Sequence, residues 1–518
     1  MTHRISPDVV ERLRKRIYCT APKSDGIPAY APFTGELIHE LPNCTPEDVH
    51  GAVERARHAQ RLWAARPVEQ RAKVFKRYHD LVLDHREVLH DIIQLENGKS
   101  RFSAAEEVLD VAIVARHYGY HGAGLLRPKR RKSVFPLITS AVELHHPRGV
   151  VGMISPWNYP FTLTMSDAIP ALLAGNAVVM KPASETSLTA LLGAELLEKA
   201  GLPPDLLVLV TGRGSTIGPA MISEVDYIQF SGSTETGKQI AGLCANRLIG
   251  CSLELGGKNP GIVFADAPFK RAVRGVLRGA FGSTGQMCIH LERVYVQDTI
   301  YERFVSELTQ QVRQLKLGPA FDYSTQVGSL SFSSQLDKVS FHVEDAVAKG
   351  ARVLVGGKAR PDLGPNFYEP TLLEGVTEEM HVAREETFGP VASLYKFHST
   401  EEVIAAANDS EYGLNASVWT KNTRRGRAFA QWIQCGTVNV NESYATTWGS
   451  TDSPMGGFKQ SGLGRRHGIE GLLKFTETQT VATQYLMNLS APKGVSDGAF
   501  AKLLYTAVPL LKKIPGLR

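Results

Sequence analysis

The feature that most constrains this chain is a change of texture at Gly149, where helical periodicity gives way to short β-branched runs separated by helix-length stretches. The runs are Val150–Ile154, Ala177–Met180, Leu206–Val210 and Tyr227–Phe230, and each passes within two residues into Ser, Lys, Gly or Pro. That is the rhythm of βα units, which form a parallel sheet with loops gathered at the carboxyl ends of the strands, where open α/β sheets bind ligands. A dinucleotide is the ligand this pattern predicts. Ahead of it, apolar residues recur at three- and four-residue spacing over Glu47–Ala64 and Pro67–Leu95, predicting packed helices. Beyond it a second α/β texture runs from Pro260 to about Gly436, with strand-like Arg293–Val296 and Arg352–Val355 and a long helix after Thr299.

Size and charge narrow the class. The chain has 518 residues, 43% of them hydrophobic, enough for two or three domains with separate cores. Its 58 Lys and Arg against 52 Asp and Glu leave only +6, and the one basic run, Lys129–Lys132, reads as a solvated surface turn. No nucleic-acid partner is expected. The six cysteines form no C-x-x-C pair and no Cys/His spacing suited to zinc, so no metal is expected and a reducing compartment fits. Without a secretory h-region or a run of ~18 apolar residues, the chain reads as cytoplasmic. After Gly498, Phe500, Leu503, Leu504, Ala507, Leu510, Leu511 and Ile514 fall at helical spacing beside Lys502, Lys512 and Lys513, with Pro509 and Pro515 as interruptions. This amphipathic extension is expected to pack on its own subunit or a neighbour, with peripheral membrane contact the less favoured alternative.

A few residues could carry chemistry. Cys288 lies in GQMCI after a glycine, at the end of a predicted helix; alone, a cysteine is far more often a small buried hydrophobe than a nucleophile. Glu254 is a carboxylate in an apolar strand running into Gly256-Gly257, where burial raises a pKa and suits proton abstraction, although a hydrogen-bonded structural carboxylate fits the same pattern. Asn158 follows the first strand of the βα series and can donate to an oxyanion or simply form a turn. Lys181 ends the next strand, at the sheet edge where ribose or phosphate groups lie. Ser231-Gly232-Ser233 opens a helix whose N–H groups suit a pyrophosphate.

Taken together, PWNYP (156–160), KPASE (181–185), FSGSTETG (230–237), LELGGKNP (253–260), GQMC (285–288), EETFGP (385–390) and SPMGGFKQSGLGR (453–465) occur in the order typical of the aldehyde dehydrogenase superfamily. The resemblance covers roughly residues 30 to 485 and is strongest to a bacterial branch labelled succinic semialdehyde dehydrogenase. It implies an α/β fold with a Rossmann-like cofactor domain (1–136 and 149–258), an α/β catalytic domain (259–455), a β oligomerisation arm (137–148 and 478–490) and the extension at 498–518. It also implies a mechanism: the Cys288 thiolate adds to an aldehyde, the oxyanion is held by Asn158 and the Cys288 N–H, hydride leaves, and water activated by Glu254 releases a carboxylic acid. Lys181 belongs with these catalytic residues. A coenzyme A-acylating dehydrogenase, which typically lacks the glutamate, and a non-catalytic dinucleotide-binding or structural protein on the same fold stand as alternatives.

Cofactor contacts implied by the resemblance are Ser155, Trp157, Lys181, Ser184, Glu185, Gly214, Gly218, Ser231, Gly232, Ser233, Leu255, Gly256, Glu386 and Phe388. NAD-selective relatives carry a glutamate three residues after the strand-end lysine; here Ser184 stands there, so NADP is expected to be preferred and NAD accepted. The tunnel is expected to be lined by Tyr159, Leu163, Ser166, Gly282, Met287, Ile289, Tyr444 and Trp448. Ser166 replaces the arginine that binds succinic semialdehyde in well-known relatives, and Gly282 a bulky aromatic, which together predict an apolar pocket for aromatic or medium-chain aldehydes beside succinic semialdehyde itself. Asp167 and Arg466 occupy positions where many relatives pair Lys with Glu, so a charge-reversed ion pair acting as a proton relay to Glu254 is expected. At least a homodimer, or a homotetramer, is expected.

Overall fold

The computed structural model describes residues 5–20, 25–133, 139–486 and 490–513. The β-branched runs pair as a six-stranded sheet in the order Gly462–Leu463, Gly250–Glu254, Tyr227–Ser231, Val150–Ile154, Ala177–Lys181, Leu207–Leu209. All neighbours are parallel except the first pair, where Gly462 faces Glu254 and Leu463 faces Leu253. The earliest strand, Val150–Ile154, lies between strands reached by opposite windings. Its carboxyl end is therefore the switch point at which such sheets open a ligand crevice. Val150, Val151 and Met153 are wholly buried, each contributing about 1.5–3 kcal/mol on burial.

Helices cover this sheet where the periodicity predicts them. Pro46–Ala64 begins with a capping box between Thr45 and Asp48, which typically contributes about 1 kcal/mol. The helical stretch from Pro67 to Leu95 forms two helices, Val68–Asp84 and Arg86–Asn97, broken at His85. Arg101–Leu125 follows and is buried along most of its length, which is why its amphipathic signal is weak.

The second sheet has seven strands in the order Arg352–Val355, Thr371–Glu374, Val391–Phe397, Leu291–Gln297, Asn259–Val263, Asn415–Trp419, Thr437–Val440. Only its first pair is antiparallel. The turn Leu255–Lys258 leads from the strand Gly250–Glu254 of one sheet to the first strand of the other, Asn259–Val263. A third, three-stranded sheet pairs Thr139–Pro147 with Thr476–Gln484 and with Lys129–Arg131. The basic run read as a turn is thus an edge strand, since Arg131 pairs with Glu143 across the ladder at 2.7 Å. Residues 137–138 and 487–489 of the expected arm lie outside the described residues.

The C-terminal extension forms a helix over Asp497–Leu511, N-capped by Ser496. Pro509 lies inside it rather than interrupting it, because a proline this close to the end removes only one late hydrogen bond; Ile514 and Pro515 lie outside the described residues. Phe500 is buried, whereas Leu503, Tyr505, Val508 and Leu510 stay exposed. Packing on the chain's own body therefore accounts for one side of this helix only. No helix among the described residues is long and apolar enough to cross a membrane.

Candidate active site

Cys288 does not end a helix. Phe269–Phe281 is followed by a tight turn, Gly282–Gly285, in which Ser283 and Thr284 adopt left-handed backbone angles (φ 50° and 57°) that non-glycine residues avoid. Gly285 continues the turn at φ +70°, where a Cβ would lie 2.0 Å from the Gly389 carbonyl oxygen. This strained turn delivers Cys288 to the space between the sheets, just before the strand Leu291–Gln297.

Two cavities meet at that thiol. One is lined by Asn158, Tyr159, Leu163, Met287, Cys288, Ile289, Tyr444 and Trp448, together with Glu106, Leu109, Asp110, Ile113 and Arg278. The other is lined by Trp157, Asn158, Leu163, Ser231, Gly232, Ser233, Glu254, Leu255, Gly256, Cys288, Glu386, Phe388 and Arg466. Asn158, Leu163 and Cys288 belong to both. The first is predominantly apolar; the second holds the carboxylates of Glu254 and Glu386.

Those carboxylates set the electrostatics. Burial raises Glu254 to about 7, against the lowering influence of Arg466 and Lys474, and its Oε1 has no hydrogen-bond partner among the described residues. Burial also raises Glu386 to about 7; it accepts from the Gly257 N–H at 2.8 Å. For Cys288, burial reinforced by Glu386 and Glu254 pushes the thiol up to about 12. The thiol is therefore protonated at neutral pH and becomes a nucleophile only when a base and a compensating positive charge are at hand.

The loop bearing Glu386 and Phe388 is anchored by a buried ion pair. Lys258 pairs with Glu292, and Glu292 accepts from the N–H groups of Thr387 at 2.9 Å and Phe388 at 3.1 Å. These bonds stabilise Phe388 at φ 56°, with its ring edge-on to Trp157 at 5.5 Å. Asn158 is held by its amide, which donates to the Gln286 carbonyl at 3.0 Å.

The cleft fits a dinucleotide. Ser233 caps the helix Thr234–Asn246, whose first N–H groups suit phosphate, and the buried Ser231 hydroxyl has no hydrogen-bond partner among the described residues. A Cβ on Gly214 would meet nothing within 4 Å and one on Gly218 only Ile154 at 4.0 Å, leaving both open to close approach. Lys181 is buried and donates to Pro182 O at 3.3 Å, beside a half-buried Ser184 and an exposed Glu185. It lines neither cavity at Cys288. Ser155 is buried, and its hydroxyl donates to the Leu163 carbonyl at 3.0 Å, which fixes the loop.

Two expected pocket residues are elsewhere. Ser166 is buried against Asp110, to which it donates at 2.7 Å, and lines neither cavity. Gly282 faces a neighbouring cavity, and a Cβ there would come within 3.2 Å of the Tyr444 hydroxyl and 3.3 Å of Met287 Cε. The room left by the missing side chain is already filled by these two, so the glycine does not widen the pocket. Sequence reasoning missed Glu106, Leu109, Asp110 and Ile113, although their i, i+3, i+4, i+7 spacing on Arg101–Leu125 marks one helix face. It also missed Arg278, which pairs with Glu106 and lies 3.3 Å from the Tyr444 hydroxyl. Behind Glu254, Arg466 Nε lies 2.9 Å from Asp167 Oδ1, both side chains buried.

Comparisons agree with this geometry. The profile of the aldehyde dehydrogenase family matches residues 19–481. A Mycolicibacterium smegmatis protein named "Putative succinate-semialdehyde dehydrogenase [NADP(+)]" is 50% identical over 484 residues, 93% of this chain and 94% of that protein. The crystal structure of succinate-semialdehyde dehydrogenase from Burkholderia pseudomallei is 32% identical with a TM-score of 0.87, covering 92% of this chain and 99% of that one. The structure of betaine aldehyde dehydrogenase from Staphylococcus aureus in complex with NAD+ is 33% identical with a TM-score of 0.87, covering 95% and 99%. The chain belongs to the aldehyde dehydrogenase family and is an NAD(P)-dependent oxidoreductase acting on aldehydes.

Proposed function

We propose that Cys288 is the nucleophile, Asn158 the oxyanion donor and Glu254 the general base for oxidation of an apolar aldehyde to its carboxylic acid. The observation that carries this is the meeting of an apolar cavity and a phosphate-suited cleft at one thiol. Trp157, Gly232, Ser233, Glu386 and Phe388 hold the cofactor, which supplies a cationic ring that accepts hydride. Cys288 loses its proton to water beside that positive charge, and the free N–H of the Asn158 amide and the Cys288 N–H receive the negative charge that develops on the aldehyde oxygen when the thiolate attacks. Loss of hydride from that carbon leaves a thioester on Cys288. Glu254, at about 7, takes a proton from water, whose oxygen attacks the thioester and frees the thiol. Asp167 then relays the proton outward, because its partner Arg466 never gives one up.

The pocket supports aromatic or medium-chain aldehydes. Among the described residues that line it the one cation is Arg278, which is already paired with Glu106, so the described lining offers a distal carboxylate no unpaired positive charge. Ser184 in place of an acidic residue supports a preference for NADP over NAD. A substrate panel with both cofactors tests this: kcat/KM should favour benzaldehyde or octanal over succinic semialdehyde, and NADP over NAD. Succinic semialdehyde ahead by orders of magnitude overturns the pocket reading, and a strong NAD preference overturns the cofactor reading. The exposed edge of Thr476–Gln484 supports a homodimer or homotetramer, and six free cysteines support the cytoplasm.

A further inference from the structure

The loop that carries Asn158 is gripped from beneath by an ion pair that no step above uses. Lys99 lies between the helices Arg86–Asn97 and Arg101–Leu125, and Glu107 lies in the second of these. Both side chains are wholly buried, with Nζ 2.6 Å from Oε1. The same ammonium donates to the Asn158 carbonyl at 2.6 Å and lies over the Tyr159 ring, 3.7 Å from its centroid. The other carboxylate oxygen of Glu107 accepts from the N–H groups of Phe161 at 2.9 Å and Thr162 at 3.2 Å. Asn97 adds a bond to the Trp157 carbonyl at 3.0 Å.

Stability alone is a poor reason for such a pair. Taking both charges out of water costs several kcal/mol per ion, and well-packed apolar residues often fold as well. What apolar residues cannot do is hold a carbonyl and two N–H groups of one short loop in fixed register. With its carbonyl on Lys99 and one amide proton on Gln286, Asn158 is tied at both ends. One amide N–H remains for the space that Asn158 and Cys288 both line.

We propose that Lys99 and Glu107 are positioning residues for the oxyanion, acting through the backbone of residues 158–162 to hold the Asn158 amide against the reacting carbonyl. This rests on the oxyanion role assigned to Asn158 above. A displacement of about 1 Å in such a donor can cost ~100-fold in rate.

A double-mutant cycle on the full chain tests it, reading the pre-steady-state NADPH burst, the cofactor Kd and the melting temperature. Asn158→Ala should slow the burst about 100-fold or more. Lys99→Gln should slow it about 10- to 100-fold, with cofactor Kd within about twofold. In the Asn158→Ala background Lys99→Gln should cost less than about threefold more, because the donor it positions is gone. If Lys99→Gln fails to fold, Glu107→Gln, which keeps the shape and removes the charge, is read in the same cycle. Losses that multiply, or a burst unchanged by the Lys99 or Glu107 variant while Asn158→Ala is impaired, overturn the positioning role alone. An unimpaired Asn158→Ala overturns the oxyanion assignment, and the proposal with it.

Discussion

Glu254 is poised near neutrality because burial outweighs the three cations around it, Arg466, Lys474 and Arg465. A general base works deprotonated, so steady-state turnover should climb as pH rises through about 7 and level off above it. Glu254→Gln should keep the NADPH burst and lose ~10²–10⁴ in turnover, with the slope near pH 7 abolished; a variant with the same pH profile as the parent refutes the assignment. Asp167→Asn separates the same two phases more gently, slowing thioester hydrolysis more than the burst, and normal steady-state turnover ends the relay. At this scale the sequence was most readable where a side chain's role is tied to a backbone signal. Cys288, Glu254 and Asn158 each sit beside a glycine turn or a strand end. Ser166 and Gly282 were misplaced because their meaning depends on which side chains fill the space around them. Tyr444, over 160 positions beyond Gly282, decides that.

The strand Thr476–Gln484 is exposed from Glu477 onward and forms one edge of its sheet. An unprotected edge of this length invites pairing with another strand, so light scattering should give at least a dimer, and a concentration-independent monomer mass contradicts it. The helix Asp497–Leu511 keeps Leu503, Tyr505, Val508 and Leu510 in the open, and a neighbouring subunit is the expected cover. Truncation before Gly498 should then leave recovery with anionic liposomes unchanged, while sedimentation of the full-length chain alone would assign the helix to membranes instead. Helices and strands of the two large sheets were readable because period and flanking residues agree in them. Lys129–Arg131 was not, since a strand that contributes little to a core leaves no alternation to read.

Across the whole molecule, the cofactor cleft draws its walls from both large sheets, and Lys258 stands where the chain crosses between them. Lys258→Met leaves Glu292 buried without its counter-charge, which should cost about 3–5 kcal/mol and weaken cofactor binding by loosening the 386–388 loop. Thermal melts and cofactor titration read the two effects separately, and an unchanged Kd would show that the anchor does not reach the cleft. The division into two α/β units was visible from sequence because each repeats its own rhythm; how the units face one another was not, because such contacts are set by residues far apart in the chain. The return of Gly462–Leu463 to the edge of the first sheet, against the strand that ends in Glu254, bears on how the protein is made. Until the ribosome has released residue 463, that strand presents bare amides and carbonyls, so the first half cannot mature during synthesis as a self-contained fragment. Nascent chains stalled before that point should be the species that chaperones hold.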